Sequence, residues 1–272
     1  MLSSIPSSTP NDSAPVLLRI EDSVAVITLN SPATLNGLDF EMAHLLVSVL
    51  RTVSANNTIR VLVIKGNGKS FMSGADLNIF HSDLDHAAIT ADRLIPIFHS
   101  CIEILRVLPI PVLAAVHGPV AGGGLSLTLA SDLVLCTKST RFFPAYGAIG
   151  TSPDGGTSWG LTRLLGARRA MATMMLSQPI DAEAALRFGL VTQVVEDDML
   201  ENATKELASR LARSAPQALA NIKDLVNKAV TNTLQDHLKL EHQYFVNAAA
   251  TKDFKEGIRA FFEKRKPLFG GE

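Results

Sequence analysis

Two apolar runs, Val61-Leu62-Val63-Ile64 and Val112-Leu113-Ala114-Ala115-Val116, each stop at a glycine-rich loop. Short β-branched runs bounded by turn residues are the pattern of buried strands. The first run leads through Gly66-Asn67-Gly68 to Phe71-Met72-Ser73-Gly74-Ala75-Asp76-Leu77. The second leads through His117-Gly118-Pro119 to Gly122-Gly123-Gly124, which opens an apolar run over 125–130 suited to a buried helix. Strands that alternate with helices predict an α/β fold built on crossover connections.

The flanking patterns agree. Residues 17–20 and 24–29 surround Glu21-Asp22-Ser23 and read as strand, tight turn, strand. Residues 38–55 have helical periodicity through Met42, Leu45, Leu46, Val49 and Val53. A helix is expected over 91–107, kinked or divided by Pro96, and a strand over 133–136. Beyond Ser158 the chain reads as mostly helical: 161–164, 168–176, 182–187, 200–214, 217–230, 234–249 and 254–264, with one strand over 191–195. The expected organisation is an N-terminal arm (1–15), a core (16–200) and a helical C-terminal region (201–272). Ser and Pro dominate the arm, which lacks the basic and apolar segments of a signal peptide.

Of the 272 residues 47% are hydrophobic and 19% charged, enough to bury a large core without disulfides or metals. The formal charge of −1 gives no reason to expect nucleic acid or an anionic membrane as partner. No apolar stretch is long enough to span a bilayer. Cys101 and Cys136 lie in apolar runs without metal spacing and read as buried, reduced thiols of a cytoplasmic protein. No metal is expected.

The two glycine loops carry the chemical information. Small residues let backbone approach a ligand. The first N–H groups of a helix lack internal partners and stabilise negative charge. Each loop alone also suits ordinary tight packing. Neither forms a dinucleotide fingerprint or a phosphate loop.

Taken together they resemble the enoyl-CoA hydratase/isomerase (crotonase) family. The resemblance runs through Asn30-Ser31-Pro32, Leu35-Asn36-Gly37-Leu38, Ser73-Gly74-Ala75-Asp76-Leu77, His117 to Gly124, Ser131-Asp132, the segment 151–159, and Lys255 to Pro267. It implies a spiral of ββα units with a helical C-terminal region. It also implies a thioester carbonyl held between the backbone N–H groups of Ala75 and Gly123. Ser73, Gly74, Asp76 and Leu77 would line that site, Asp76 by fixing the loop. Phe245 and Lys264 occupy positions that meet the adenine end of coenzyme A and its phosphates. The basic residue often found before the Leu-Asn-Gly-Leu motif is absent, since Ala33-Thr34 stands there. Coenzyme A is part of the substrate, and no separate cofactor is implied. The implied assembly is a homotrimer or a dimer of trimers.

The familiar hydratases of the family add water with two glutamates. Their positions here are Ser126 and Tyr146. Asp154, in Ser152-Pro153-Asp154-Gly155-Gly156-Thr157, matches the carboxylate that shuttles the proton in the family's isomerases. It equally suits the N-cap of the following helix. Ile149 and Trp159 are expected to bury it and raise its pKa. Tyr146 is expected to line the pocket as an aromatic wall, and Ser126 to bond back to the preceding turn. His117 reads as a turn residue and Asp132 as structural. His81, His86 and His99 read as part of a solvated, mobile segment lining the acyl pocket. The preferred reading is an acyl-CoA isomerase that moves a Δ3 double bond to Δ2. The alternatives are an enoyl-CoA hydratase, an isomerase of ring-containing CoA esters, and a non-catalytic acyl-CoA-binding homologue.

Overall fold

The computed structural model describes residues 13–272, so most of the expected arm lies outside the described residues. β1 (Val16–Glu21) and β2 (Val24–Leu29) form an antiparallel hairpin closed by Asp22-Ser23. α1 (Phe40–Ala55) follows, with the Asp39 carboxylate accepting from Met42 N–H at 2.8 Å. That cap satisfies one of the helix's orphan donors. β3 (Val61–Gly66), β4 (Val112–Val116), β6 (Leu133–Thr137) and β9 (Gln193–Val195) complete a six-stranded sheet in the order β1-β2-β3-β4-β6-β9. All pairings beyond the hairpin are parallel.

The continuous apolar runs at 61–64 and 112–116 reflect burial on both faces of this sheet. Leu62, Ile64, Val112 and Ala114 face the main core with α1 and α3 (Ala87–Val107). Val61, Val63, Leu113 and Leu135 alternate to the other face, under Ala208 and Leu207 of α8 (Leu200–Ala212).

A second sheet of three strands was not anticipated: β5 (Pro119–Ala121), β7 (Arg141–Phe143) and β8 (Ile180–Asp181). Two or three residues carry too little alternation to be recognised. Met72 pairs with Val120 in a parallel bridge, so the Ala75 loop joins this sheet too. The turns through β4–β5, β6–β7 and β8–β9 each give one strand to each sheet, in keeping with the ββα spiral that the family resemblance implies.

α2 (Asn78–His81) precedes α3. α4 (Gly123–Ala130) is buried almost all round, as expected of a helix without a polar face. α5 (Thr157–Leu165), α6 (Ala167–Met175) and α7 (Ala182–Arg187) come next. α9 (Pro216–Ala229), α10 (Leu234–Ala249) and α11 (Lys252–Phe262) end the chain.

Division at Pro96, one of the two expected outcomes, does not occur. α3 runs unbroken through Pro96 and begins at Ala87. Leu94, Phe98, Cys101 and Leu105 bury one stripe of the helix, which packs on α1, and that burial spans the proline. Both cysteines are buried and free, with burial pushing the Cys101 thiol up to about 12 and that of Cys136 up to about 11. Among the described residues no helix is long and apolar enough to cross a membrane, and no cluster of His, Cys, Asp and Glu has the makings of a metal site.

Candidate active site

The two glycine loops meet side by side. Ala121 N–H donates to Met72 C=O at 3.1 Å, and Leu38 N–H donates to Gly74 C=O at 2.7 Å. Asn36 clamps the first loop from beneath. It is fully buried, and its Nδ2 donates to the carbonyls of Asn67, Ser70 and Phe71. Ser73 and Asp76 are used within the loop. The Ser73 hydroxyl donates to Thr34 C=O at 3.2 Å, and the Asp76 carboxylate accepts from Asn78 N–H at 3.0 Å. Leu77 is exposed.

These bonds use the neighbours of Ala75 and leave its own N–H without an acceptor among the described residues. Gly123 N–H, in the first turn of α4, also has none. Two main-chain donors are therefore free at adjoining loops, one of them at the positive end of a buried helix.

Gly124 is what lets α4 come this close. A Cβ there would overlap the Met72 carbonyl oxygen and lie 2.9 Å from Met72 Cβ. Gly124→Ala is expected to spread the two loops and cost about 2.7–4 kcal/mol of transition-state stabilisation, as loss of one oxyanion donor does. Its kcat set against its melting temperature separates this from general unfolding.

Asp154, in the segment before α5, lies against the Ser126 turn of α4. The Ser126 and Thr157 hydroxyls share a hydrogen bond of 2.8 Å, and Ser126 Oγ lies 3.4 Å from Asp154 C=O. Gly155 has φ of +54°, and a Cβ there would stand 2.5 Å from Ser126 Oγ and 2.7 Å from the Phe98 ring. The same ring packs under Gly123. Phe98 thus forms a common floor for the free Gly123 donor and the Asp154 loop.

The Asp154 carboxylate accepts from the Tyr146 hydroxyl at 3.1 Å. Tyr146 Oη also meets Thr157 Oγ1 at 3.0 Å. Ser126, Thr157 and Tyr146 make a chain of hydroxyls that ends on the carboxylate, with each proton able to point toward it. Such chains strengthen one another in a low-dielectric interior. Burial, with the neighbouring Asp154 charge second, pushes the Tyr146 hydroxyl up to about 12, so it donates at neutral pH and does not act as a base.

Several expectations need correction. Tyr146 is more than an aromatic wall, because its hydroxyl is committed to Asp154. Ser126 reaches back to Gly122 C=O only at 3.4 Å and is held mainly by Thr157. Asp154 does not cap α5, whose N-cap is Gly156 with no side-chain bond; only its carbonyl takes part, accepting from Thr157 N–H. Ile149 and Trp159 do not wall it off, being 58% and 46% exposed, and Trp159 instead stacks with arginines. His99 is exposed, as expected, but is not on a separate segment with His81 and His86. It lies within α3, and its Nε2 accepts from Gly155 N–H at 3.1 Å, which ties the Asp154 loop to that helix. His86 pairs instead with Asp83 at the surface.

His117 is the turn residue expected, bonded to Gly68 C=O at 3.0 Å. Phe245 and Lys264 do not join the cluster. Phe245 is exposed on α10 and meets Phe254 edge-on at 6.1 Å, and Lys264 follows the end of α11 with φ of +54°.

The family description Enoyl-CoA hydratase/isomerase matches residues 19–272. The chain belongs to the enoyl-CoA hydratase/isomerase family. It is 37% identical to the 1,2-epoxyphenylacetyl-CoA isomerase of Escherichia coli (strain K12), over 94% of this chain and 98% of that protein. It is 36% identical to a probable enoyl-CoA hydratase of Rhodobacter capsulatus, covering 93% and 96% of the two chains. A solved enoyl-CoA hydratase from Polaromonas sp. JS666 superposes with a TM-score of 0.89 at 34% identity, over 93% of this chain and 99% of that one. Isomerases and hydratases both share this crotonase fold, so the reaction rests on the side chains around the loops.

Proposed function

We propose that this crotonase-family enzyme is an acyl-CoA isomerase that moves a Δ3 double bond to Δ2 through Asp154 alone. The observation that carries the reading is one carboxylate beside the free N–H donors, with hydroxyls at both positions where the hydratases of the family place glutamates.

The Asp154 carboxylate removes a C2 proton from the unsaturated thioester. The C–H electron pair becomes a C1–C2 double bond as the carbonyl π pair moves onto oxygen; in the second step the oxygen returns its pair to the carbonyl, the C1–C2 pair becomes the C2–C3 double bond, and the old C3–C4 pair takes the proton at C4. Between the steps, the dienolate oxygen is held by Ala75 and Gly123 N–H. The protonated Asp154 then returns its proton to C4, and the thioester carbonyl re-forms. No water enters. Adding water would need a base to activate it and an acid on the other carbon, and neither Ser126 nor a tyrosine pushed up to about 12 is a base. The relative named 1,2-epoxyphenylacetyl-CoA isomerase supports an isomerase, and makes ring-containing thioesters the second reading.

The test is the fate of a C2 label. In a single turnover, hex-3-enoyl-CoA dideuterated at C2 is expected to yield the conjugated ester with deuterium at C4 above the solvent background. An unmoved double bond, or a 3-hydroxy product, refutes the reading.

Tyr146→Phe removes the donor to Asp154 while keeping the ring. A hydrogen bond to a charged group contributes about 1.5–3 kcal/mol. The expected result is a roughly ten-fold or greater fall in kcat with little change in KM, measured by steady-state kinetics on hex-3-enoyl-CoA.

We also propose a homotrimer or a dimer of trimers. Exposed apolar side chains on α9 to α11, among them Val226, Leu238, Phe245, Phe261 and Phe262, leave a surface that a single chain does not cover. Light scattering is expected to report a multiple of the 29.1 kDa chain mass, and a monomer would count against this assembly.

A further inference from the structure

A cavity of about 990 Å³ is lined by Ser126 and Gly155-Gly156 beside the site and by residues of α3, α4, α5 and α9. Its walls near the site are apolar, with Ile102 and Leu129 among them. Further along, it meets Arg106, Trp159 and Arg163. Arg163 lies seven residues after Gly156 on α5, which places it about 10 Å along the helix at 1.5 Å per residue.

The two arginines stack on the one indole. The Arg163 guanidinium lies 3.5 Å and that of Arg106 5.4 Å from the Trp159 ring centroid. Neither makes an ion pair among the described residues. Arg106 donates to Asn227 Oδ1, and Arg163 donates to Trp159 C=O at 3.3 Å. The other charges nearby are otherwise engaged. Asp132 is paired with Lys223 at 2.8 Å, and Asp224 with Lys228 at 2.7 Å. Glu103, on the exposed side of α3, bonds to neither arginine. Burial holds Arg106 below its usual range, the Asp132 charge opposes this, and the Arg163 charge adds to it. The far end of the cavity therefore holds two like charges with most of their donors unused. Guanidinium groups match a carboxylate in shape and take it through two parallel bonds.

We propose that this end of the cavity receives a terminal carboxylate, so that the preferred substrates are mono-CoA esters of unsaturated dicarboxylic acids. The inference rests on the acyl-CoA reading of the site and narrows it to a substrate class. An anion between Arg106 and Arg163 relieves their mutual repulsion, and Trp159 holds Arg163 in place to receive it.

Binding of saturated probes tests this apart from the reaction. Calorimetric titration is expected to show adipoyl-CoA binding at least ten-fold more tightly than hexanoyl-CoA. In Arg163→Met, and separately in Arg106→Met, the ratio is expected to fall toward one. Equal affinities in the unmodified enzyme, or a ratio untouched by both substitutions, overturn the inference. If the probes bind alike while hex-3-enoyl-CoA is isomerised, this inference fails and the isomerase reading stands. If neither probe binds, both fail together.

Discussion

Asp154→Asn is expected to abolish double-bond migration while leaving acyl-CoA binding intact. Asparagine has the same shape, and its side-chain oxygen still accepts from the Tyr146 hydroxyl that now meets Asp154 at 3.1 Å. The Gly155 N–H bond to His99 at 3.1 Å is made by backbone and does not depend on the carboxylate. What disappears is the carboxylate on which the hydroxyl chain of Ser126, Thr157 and Tyr146 ends. General acid–base catalysis contributes roughly 10²- to 10⁴-fold. Ser126, Thr157 and Tyr146 are hydroxyls and do not replace a carboxylate, so the upper end of that range is expected in kcat. Steady-state rates on hex-3-enoyl-CoA, with product-inhibition constants as the measure of binding, check both parts. A variant that keeps nearly full rate would transfer the proton step to another residue.

Lys223→Met is expected to destabilise the folded protein by about 3–5 kcal/mol. The Lys223 ammonium donates to Asp132 Oδ2 at 2.8 Å and to the carbonyls of Leu105 at 2.9 Å and Ile110 at 3.2 Å. These bonds pin α9 to the end of α3 and the start of β4. The two side chains are 8% and 19% exposed, so this pair differs from a surface ion pair of small net value. Methionine fills the space but leaves the Asp132 carboxylate inside the protein, with only Val112 N–H at 2.8 Å to satisfy it. At roughly 2–4 °C per kcal/mol for a chain of this size, the melting temperature is expected to fall by about 10 °C. Lys223→Met combined with Asp132→Leu removes the stranded charge and is expected to recover most of the loss. A single variant that melts like the unmodified protein would show that α9 is held by other contacts.

The structural role read for Asp132 is visible in those bonds. Among the strands that were legible, β3 and β4 are buried on both faces, where apolar runs are unbroken. The short strands of the second sheet had no such signal. Asp154 stood out because it matches the carboxylate position of the family's isomerases; its local pattern alone also suited a helix cap. His99 did not, because its partner is the backbone N–H of Gly155, and no residue type or spacing reports a main-chain donor that far along the chain. Thr157 was hidden in the same way, between two hydroxyls supplied by α4 and the Tyr146 turn. Tyr146 reads as an aromatic from its ring, while its effect on the site comes from an oxygen whose partner only folding reveals. Asn36 was visible as part of a motif, and its work as a clamp under the Ala75 loop came from three carbonyls that the fold gathers around it.

Initial rates on two substrates, with the same enzyme preparation, test the central claim most directly. The account predicts that hex-3-enoyl-CoA is converted to the conjugated ester, seen by its absorbance, and that crotonyl-CoA gains no water at a comparable rate. Rapid hydration of crotonyl-CoA with no migration in hex-3-enoyl-CoA would contradict a single-carboxylate isomerase.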